Sequence, residues 1–344
     1  MNNVNKITNF FSDTFQNDIA IDLGTANTRI FDLKKGLVLN EPSYIAFYTH
    51  NGYKSVKNIG KAAKKLYNKE PKNYSIIKPI NSGRIFNTEH ATMMLSLYLK
   101  NIKKNNIQVS PKAIVSYPVN ISDVDKEILE DVLIEAGIKN VIMIEEPICA
   151  AIGGGLNIED NTAQIIIDLG AGKISMSVVA YNSIVANETI NYGGDYINEQ
   201  IKELLKTNYQ IIIGEQTAEN IKHTIGSCTL EENQKEFTVS GLDTLNRKPS
   251  KVNLTSSDIF QVIEPVLQKI QSALKILIEK TPPEYSNDIL SKGIYLNGGL
   301  ANLNGLQEFL KSELDVSVVT FAQPELINIE GNIEILKMLK RRKK

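Results

Sequence analysis

The sequence has few residues of the kinds that build disulfide scaffolds, metal sites or membrane spans. Its two cysteines, Cys149 and Cys228, form no Cys-x-x-Cys pair, which excludes a disulfide framework and a cysteine-based zinc site. The three histidines, His50, His90 and His223, are too scattered to predict a metal site. No apolar run approaches the ~20 residues that a transmembrane helix needs. These absences predict a cytoplasmic protein in a reducing compartment.

An excess of charge of one sign is also missing. Lysine and arginine total 38 and aspartate and glutamate total 39, for a net charge of -1. Such a balance gives no overall attraction to nucleic acid, so we expect no nucleic-acid partner. The N-terminus has one lysine and no continuous apolar core, unlike a secretory signal. At 344 residues the chain is long enough for two domains of ordinary size.

One segment of the sequence is repeated. The stretch AIDLGTANTRIFDL at residues 20–33 has a counterpart, IIDLGAGKISMSVV, at residues 166–179. Each reads as an apolar strand, an Asp-Leu-Gly turn with small residues, and a second apolar strand. The similarity predicts two related halves. Helices and hairpins alternate in both, so the predicted fold class is α/β with mixed sheets. Three local elements are also predicted: a short basic helix over residues 60–69, a helix that begins with a Ser122 cap in the segment SDVD, and a peripheral hairpin between two helices over residues 230–258.

The two Asp-Leu-Gly turns have the chemistry of anion sites. Glycine and small residues let backbone N–H groups approach a phosphate closely, and two such turns facing each other would clamp a phosphate chain. Asp22 and Asp168 end their strands, where a hydrated Mg²⁺ would balance those phosphates. A third glycine turn, IYLNGGLANLNGL at residues 294–306, follows a strand and opens a helix. One such turn alone is usually structural, but three together predict a phosphate-binding site.

Six segments together resemble one known family. They are DLGTANT, GLVLNEPSYIA, IEEPICAAIGGGLN, NYGGDYINEQI, IGEQTAENIKHTIGS and LNGGLANLNGL, in this order along the chain. The chain resembles the superfamily of actin, sugar kinases and 70-kDa heat-shock ATPases, and within it the MreB bacterial actins. The resemblance covers about residues 18–335. Each segment alone is a weak signal, but the set in this order is specific.

The resemblance implies an actin-like two-lobed ATPase fold, made of duplicated ribonuclease-H-like domains with mixed sheets. It implies an ATP and Mg²⁺ site between the lobes, polymerisation into cytoskeletal filaments with itself or with paralogous MreB proteins, and a role in cell shape or shape-linked motility. The implied subdomains, after an N-terminal extension at 1–17, are IA (18–47, 81–160 and 330–344), IB (48–80), IIA (161–195 and 254–329) and IIB (196–253).

The resemblance also implies roles for individual residues. Asp22 and Asp168 would lie toward Mg²⁺, through water, and Glu146 would orient the attacking water. Glu145 alternates to the other face of its strand, so only one of the two glutamates would reach the site. The implied nucleotide-binding residues are Gly24, Thr25, Ala26 and Asn27 in the first loop, Gly170, Ala171, Gly172 and Lys173 in the second, and Glu219, Lys222, Gly298, Gly299 and Ala301 around the nucleoside. Glu219 and Lys222, three apart on a helix, also fit a plain surface ion pair.

The second loop departs from the family pattern. MreB proteins have a threonine that helps to place the water where this chain has Lys173. An ammonium only donates hydrogen bonds, so it cannot take over the accepting role of that hydroxyl. Lys173 has three options: pairing with Glu146, contacting the terminal phosphate, or pointing to solvent. The first and third predict slow hydrolysis, and we expect a slow ATPase. The third loop also reads Gly-Gly-Leu where the family has Gly-Gly-Gly.

Both ends of the chain are candidates for membrane contact. Val4, Ile7, Phe11 and Phe15 share one stripe of a helical wheel, which fits an N-terminal amphipathic helix, although disorder or packing on the protein body fits as well. Residues 337–344 carry six basic side chains, which attract anionic lipid unless they are simply solvated. We expect peripheral association with the inner face of the membrane, mainly through this tail.

Other activities on the same fold are the alternatives. A small-molecule kinase would need an acceptor pocket and a catalytic aspartate, and the sequence offers neither. A chaperone-type ATPase would carry a substrate domain after the ATPase, whereas the chain ends within about ten residues of the end of the resemblance, at about residue 335. A plasmid- or division-type actin relative is a further alternative.

Overall fold

The computed structural model describes residues 18–69, 71–103, 111–159, 161–230, 235–314 and 316–341. The chain divides into two compact units. Unit 1 is Met1–Asn157 with Leu326–Lys344, and unit 2 is Ile158–Glu325. The finer division into four subdomains stays a prediction.

Unit 1 combines a central sheet, smaller sheets and helices. Its strands are β1 (Asp18–Leu23), β2 (Asn27–Asp32), β3 (Gly36–Pro42), β4 (Ile45–His50), β5 (Tyr53–Ile59), β6 (Tyr74–Ile77), β7 (Ile80–Asn81), β8 (Arg84–Ile85), β9 (Lys112–Tyr117) and β10 (Asn140–Glu145). Its helices are α1 (Gly60–Lys64), α2 (Thr88–Lys103), α3 (Asp123–Glu135), α4 (Glu146–Gly153) and α10 (Ile327–Arg341). The central sheet has the order β10-β9-β1-β2-β3, and β5-β4-β6 form a separate sheet.

Unit 2 repeats this plan. Its strands are β11 (Gln164–Leu169), β12 (Ile174–Ala180), β13 (Ser183–Ile190), β14 (Ile211–Ile212), β15 (Glu236–Asp243), β16 (Pro249–Thr255), β17 (Ile294–Asn297) and β18 (Val318–Thr320). Its helices are α5 (Gly194–Asn208), α6 (Glu215–Ile225), α7 (Ser256–Lys280), α8 (Ser286–Lys292) and α9 (Leu306–Leu314). The central sheet has the order β13-β12-β11-β17-β18, and β14-β15-β16 form a smaller sheet.

The two central sheets have the same topology. In each, three antiparallel strands joined by hairpins are followed by two parallel strands: β9 and β10 in unit 1, β17 and β18 in unit 2. Parallel strands need crossover connections, which the helices provide. β1 is buried along its whole length, as its apolar residues predict. The predicted α/β fold with duplicated halves is confirmed.

The C-terminal helix α10 packs against α4 within unit 1. A Cβ on Gly331 would lie 1.8 Å from the Cys149 carbonyl oxygen, and one on Gly153 would lie 2.2 Å from that of Ile327. The two helix backbones can therefore approach this closely only because glycine stands at both positions. A side chain even as small as alanine has no room there.

Asn332 on α10 joins three elements of unit 1 at a fully buried point. Its Nδ2 donates to the Ile21 carbonyl oxygen on β1 and to Ser116 Oγ on β9, each at 3.1 Å. Its Oδ1 accepts from Cys149 Sγ on α4 at 3.2 Å. Burial raises the pKa of the Cys149 thiol well above its ordinary value, so the thiol keeps its proton and donates it. The C-terminal helix thus fixes the end of β1, next to Asp22.

Several local predictions are confirmed and one is wrong in length. Ser122 caps α3 through a capping box with Asp125, as the sequence SDVD predicts. β15 and β16 form the predicted hairpin between two helices. The basic helix predicted over residues 60–69 ends at Lys64. Asn68 adopts a left-handed φ of 60°, and the chain continues as turns that the helical pattern does not reveal. Within the described ranges no helix is long and apolar enough to cross a bilayer.

Candidate functional site

The first and second loops close in the same way. In unit 1 the N–H of Gly24 donates to the Asn27 carbonyl oxygen at 3.1 Å. In unit 2 the N–H of Gly170 donates to the Lys173 carbonyl oxygen, also at 3.1 Å. A Cβ on either glycine would lie within 3.0 Å of that oxygen. Each loop leaves the buried first strand of its unit and returns at once into the second. The sequence repeat is therefore a repeat of backbone geometry.

Ser43, the residue after β3, holds the first loop in place through hydrogen bonds. Its N–H donates to the Ala26 carbonyl oxygen at 3.0 Å, and its hydroxyl donates to the Gly24 carbonyl oxygen at 2.7 Å. The same hydroxyl lies 2.9 Å from Thr28 Oγ1, and Ser43 is fully buried. Thr25 Oγ1 accepts from the Gly83 N–H at 3.1 Å. These contacts turn the loop's carbonyl groups inward, toward the protein.

Replacing Ser43 by alanine is expected to loosen this loop. The carbonyl oxygen of Gly24 would lose its buried donor, which costs about 1–3 kcal/mol of unfolding free energy. Urea denaturation of the full chain measures the loss. Ser55 lies on an exposed strand with its hydroxyl 3.5 Å from the Tyr48 carbonyl oxygen, so Ser55→Ala is the matched control and should change little. Equal stability of the two variants would contradict the bracing role.

Asp22 is paired with an arginine that is not among the candidate site residues of the sequence. Arg29 lies directly opposite Asp22 in the antiparallel pairing of β1 and β2. Its Nη1 is 2.8 Å from Asp22 Oδ2, and the two side chains are only 11% and 10% exposed. Opposite charges at directly opposite strand positions are a usual cross-strand pair. The signal was present in the sequence, because a short hairpin around the loop places these residues face to face.

Glu145 and Glu146 lie where β10 becomes α4. Glu145 ends the strand and its Oε1 accepts from the Tyr117 hydroxyl at 2.5 Å. Lys126 Nζ donates to the same hydroxyl at 2.8 Å and lies 4.3 Å from the ring centroid. Burial and the hydrogen bond to Glu145 raise the pKa of Tyr117, so the phenol keeps its proton. Glu146 is half-buried in the first turn of α4, where the helix dipole favours a carboxylate.

The second loop is braced by the start of α5. The N–H groups of Gly194 and Asp195 donate to the carbonyl oxygens of Gly170 and Ala171 at 3.0 and 2.8 Å. A Cβ on Gly193 would lie 2.4 Å from the Ala171 oxygen, so this approach requires glycine. The segment NYGGD therefore supports the second loop as Ser43 supports the first. Lys173 closes the loop and its side chain is half-buried.

Lys222 on α6 extends this support. It is 6% exposed, and its Nζ donates to the Gly194 carbonyl oxygen at 2.8 Å. Because the Gly194 N–H reaches Gly170, Lys222 also positions the second loop. Glu219 lies one turn earlier on the same helix.

The third loop packs onto the end of β11, the first strand of unit 2. Gly298 has a φ of +87°, and a Cβ there would lie 2.5 Å from the Leu169 carbonyl oxygen and 2.7 Å from Asp168 Oδ1. Gly299, where a Cβ would meet open space, begins a 3-10 turn that contains the buried Ala301. A cleft within unit 2 is lined by residues of α6, the third loop and a lysine before β15: Lys222, His223, Thr224, Gly226, Lys235, Gly299, Leu300, Asn302, Leu303 and Asn304.

The chemistry of the carboxylates decides how well Mg²⁺ fits. Among the described residues no cluster of three or more His, Cys, Asp or Glu could hold a metal ion by itself. Asp168 is half-buried at its strand end. Asp22 fits less well, because one of its oxygens holds a guanidinium and a positive charge stands beside the carboxylate. The residues therefore fit a cation held partly by phosphate oxygens, with Asp168 as its carboxylate.

The basic C-terminus is partly neutralised where it is described. α10 runs to Arg341, and Lys337 pairs with Glu334 at 2.6 Å. Lys340 pairs with Asp18 at 2.7 Å, at the start of β1. Residues 342–344 and the predicted N-terminal amphipathic helix, within residues 1–17, lie outside the described residues.

A family model and curated relatives point to the same protein family. The model of the family described as MreB/Mbl protein matches residues 16–344. Cell shape-determining protein MreB of Escherichia coli K12 is 34% identical over 332 residues, 96% of each chain. Cell shape-determining protein Mbl of Bacillus subtilis 168 is 32% identical over 310 residues, 90% of this chain and 92% of that one.

Solved structures give the same fold. MreB 5 of Spiroplasma citri bound to AMPPNP superposes with a TM-score of 0.90 at 28% identity, covering 96% of this chain and 98% of that one. The MamK double helical filament has a TM-score of 0.78 at 17% identity over 93% and 98% of the chains, a likeness of fold alone. With its duplicated actin-like fold and a family model matched over almost its whole length, this chain is a member of the MreB/Mbl family.

Proposed function

We propose that this protein binds ATP and polymerises into cytoskeletal filaments that act in cell shape or shape-linked motility, with weak ATP hydrolysis. The observation that carries the proposal is the matched closure of the two loops, Gly24 N–H to Asn27 and Gly170 N–H to Lys173, each at 3.1 Å. Two loops of this kind offer backbone N–H groups to a phosphate chain. The relatives in Escherichia coli and Bacillus subtilis are named cell shape-determining proteins, and the one from Spiroplasma citri was solved with AMPPNP and with ADP.

The loops divide the nucleotide between them. We assign the phosphates to the two closed loops and the nucleoside to Glu219, Lys222 and the third loop. Lys222 and Gly299 line the same cleft, which supports the assignment of both to the nucleoside. The proposed phosphate residues are Gly24, Thr25, Ala26, Asn27, Gly170, Ala171, Gly172 and Lys173; those for the nucleoside are Glu219, Lys222, Gly298, Gly299 and Ala301.

Hydrolysis is assigned to Glu146 as the residue that orients water. The position of Glu146 in the first turn of α4, with Glu145 held by Tyr117, supports this choice of glutamate. Lys173 supplies no acceptor for that water. We propose weak hydrolysis for this reason. Mg²⁺ would neutralise phosphate charge, with Asp168 as its carboxylate and Asp22 in a smaller role.

Filament partners are further copies of this chain or paralogous proteins, at the inner membrane face. Lys337 and Lys340 already have carboxylate partners, so lipid attraction rests mainly on residues 341–344. Flotation with vesicles containing anionic lipid tests this contact. We expect binding that weakens in high salt and is absent with neutral lipid, whereas binding to neither vesicle would contradict it.

High-speed sedimentation of the purified full chain tests the main proposal. We expect pelleting with ATP or AMPPNP and little without nucleotide. Adenosine is the matched control, because it fills a nucleoside site but offers nothing to the phosphate loops. Protein that stays in the supernatant under all conditions would overturn polymerisation, and equal pelleting under all conditions would overturn its link to nucleotide.

A further inference from the structure

A lysine, a tyrosine and a glutamate form a hydrogen-bonded chain across three elements of unit 1. Tyr117 ends β9, Glu145 ends the parallel strand β10, and the pairing of the two strands places these residues side by side. The Tyr117 hydroxyl donates to Glu145 Oε1 at 2.5 Å and accepts from Lys126 Nζ, on α3, at 2.8 Å. Tyr117 is 5% exposed, so the chain runs through a buried phenol. Lys126 therefore places a positive charge one hydroxyl away from Glu145.

The start of α3 and the tyrosine ring fix the lysine in this chain. Ser122 and Asp125 form the capping box that begins the helix, one residue before Lys126. The Lys126 ammonium lies 4.3 Å from the centre of the Tyr117 ring, a cation–π contact that adds to its hydrogen bond. Burial and the hydrogen bond to Glu145 raise the pKa of Tyr117, so its hydroxyl stays a donor to the carboxylate.

Glu145 would have a different contact if Tyr117 did not hold it. It is the N-cap residue of α4, and its side chain makes no capping hydrogen bond to that helix. A carboxylate at this position is attracted by the N–H groups and the dipole of the helix start. Glu146, the next residue, lies in the first turn of the same helix. A released Glu145 would therefore bring a second negative charge toward Glu146.

We infer that Tyr117 is a positioning residue for hydrolysis, which holds Glu145 against β9 so that Glu146 alone faces the reacting water. This inference rests on the proposed role of Glu146. Two carboxylates that share a site disfavour each other's ionised form, and both accept hydrogen bonds from the same water. With Glu145 tied to Tyr117 and its charge offset by Lys126, Glu146 keeps its negative charge for orienting water.

Phosphate release from Mg-ATP by the full chain tests the inference, with nucleotide affinity measured in parallel. For Tyr117→Phe we expect turnover at saturating ATP to fall about tenfold, while affinity stays within about threefold of the wild type. Tyr209 is the matched control, because its hydroxyl also donates to a carboxylate, Asp258 Oδ1 at 3.1 Å, but within unit 2. Tyr209→Phe should hydrolyse ATP as the wild type does. An unchanged or faster rate in Tyr117→Phe would overturn the inference.

A double variant separates positioning from a loss of packing. Glu145→Gln keeps the size of the side chain without its charge, so Tyr117→Phe combined with Glu145→Gln should recover turnover to within about threefold of the wild type. A merely structural role of Tyr117 would not be repaired by this second change. A double variant as slow as Tyr117→Phe would therefore overturn the inference.

Lys126→Met serves if Tyr117→Phe does not fold. It removes the charge behind the tyrosine and keeps the stem, and we expect turnover to fall about threefold or more, with Lys126→Arg near the wild type. A wild-type rate in Lys126→Met would count against the inference in the same way. If the wild type binds ATP but releases no phosphate, the proposed hydrolysis itself fails. Measurable wild-type turnover that Tyr117→Phe leaves unchanged removes the inference alone.

Discussion

Replacing Lys173 by threonine is expected to raise the rate of phosphate release from Mg-ATP about tenfold or more. The hydroxyl would restore an acceptor for the attacking water, which an ammonium cannot provide. Lys173 closes the second loop and its carbonyl oxygen already accepts from Gly170, so the substitution leaves the backbone closure in place. Phosphate release at a polymerising protein concentration measures the effect. Nucleotide affinity, measured in parallel, separates a change in turnover from a change in binding.

Two controls separate the hydroxyl from the charge. Lys173→Met removes the ammonium without adding an acceptor, so it should stay slow if the missing hydroxyl limits the rate. A fast Lys173→Met would mean instead that the ammonium itself inhibits hydrolysis. Lys251→Thr makes the same change on an exposed strand and should behave as the wild type. An ordinary rate in the wild type, lowered by Lys173→Thr, would show that the lysine assists the phosphate.

Replacing Gly331 by alanine is expected to destabilise unit 1 by about 3 kcal/mol or more. The new Cβ would lie 1.8 Å from the Cys149 carbonyl oxygen, and backbone cannot move aside as a flexible side chain does. In an exposed helix the same change would raise the free energy of unfolding by roughly 0.5–1 kcal/mol. Here the close packing of the two helices makes the substitution destabilising instead. The urea midpoint of the unit 1 transition measures it.

Ser272→Ala is the control for introducing an alanine into a helix where no backbone lies against it. Ser272 is exposed within α7, with its hydroxyl bonded to the Gln268 carbonyl oxygen one turn earlier. Its replacement should change stability by less than about 0.5 kcal/mol. If Gly331→Ala proved as stable as the wild type, α10 and α4 could not be in backbone contact. Loss of nucleotide affinity should accompany its destabilisation, because Asn332 next to it fixes the end of β1.

Part of this protein could be predicted from its sequence because the signal was local. Apolar periodicity and the repeated Asp-Leu-Gly turn predicted two related α/β halves, and Ser122 and Asp125 predicted a helix start. Those signals depend on residues a few positions apart. The basic helix over residues 60–69 was predicted too long, because the turns that follow Lys64 carry no periodic signal. The proposed roles of the loop residues remain predictions of the resemblance.

The sequence by itself determined the two loops, because glycine, small residues and a strand-ending aspartate in fixed order leave the backbone few conformations. Only the tertiary structure decided what surrounds them. Ser43 reaches the first loop, Lys222 reaches the second through Gly194, and Asn332 reaches Ile21 from a helix about 300 residues away. Such contacts join residues with no fixed spacing along the chain, so no pattern of neighbours could predict them. The physical reason is that loop geometry is set locally, whereas the hydrogen bonds that brace a loop are satisfied by whichever buried donor folding brings near.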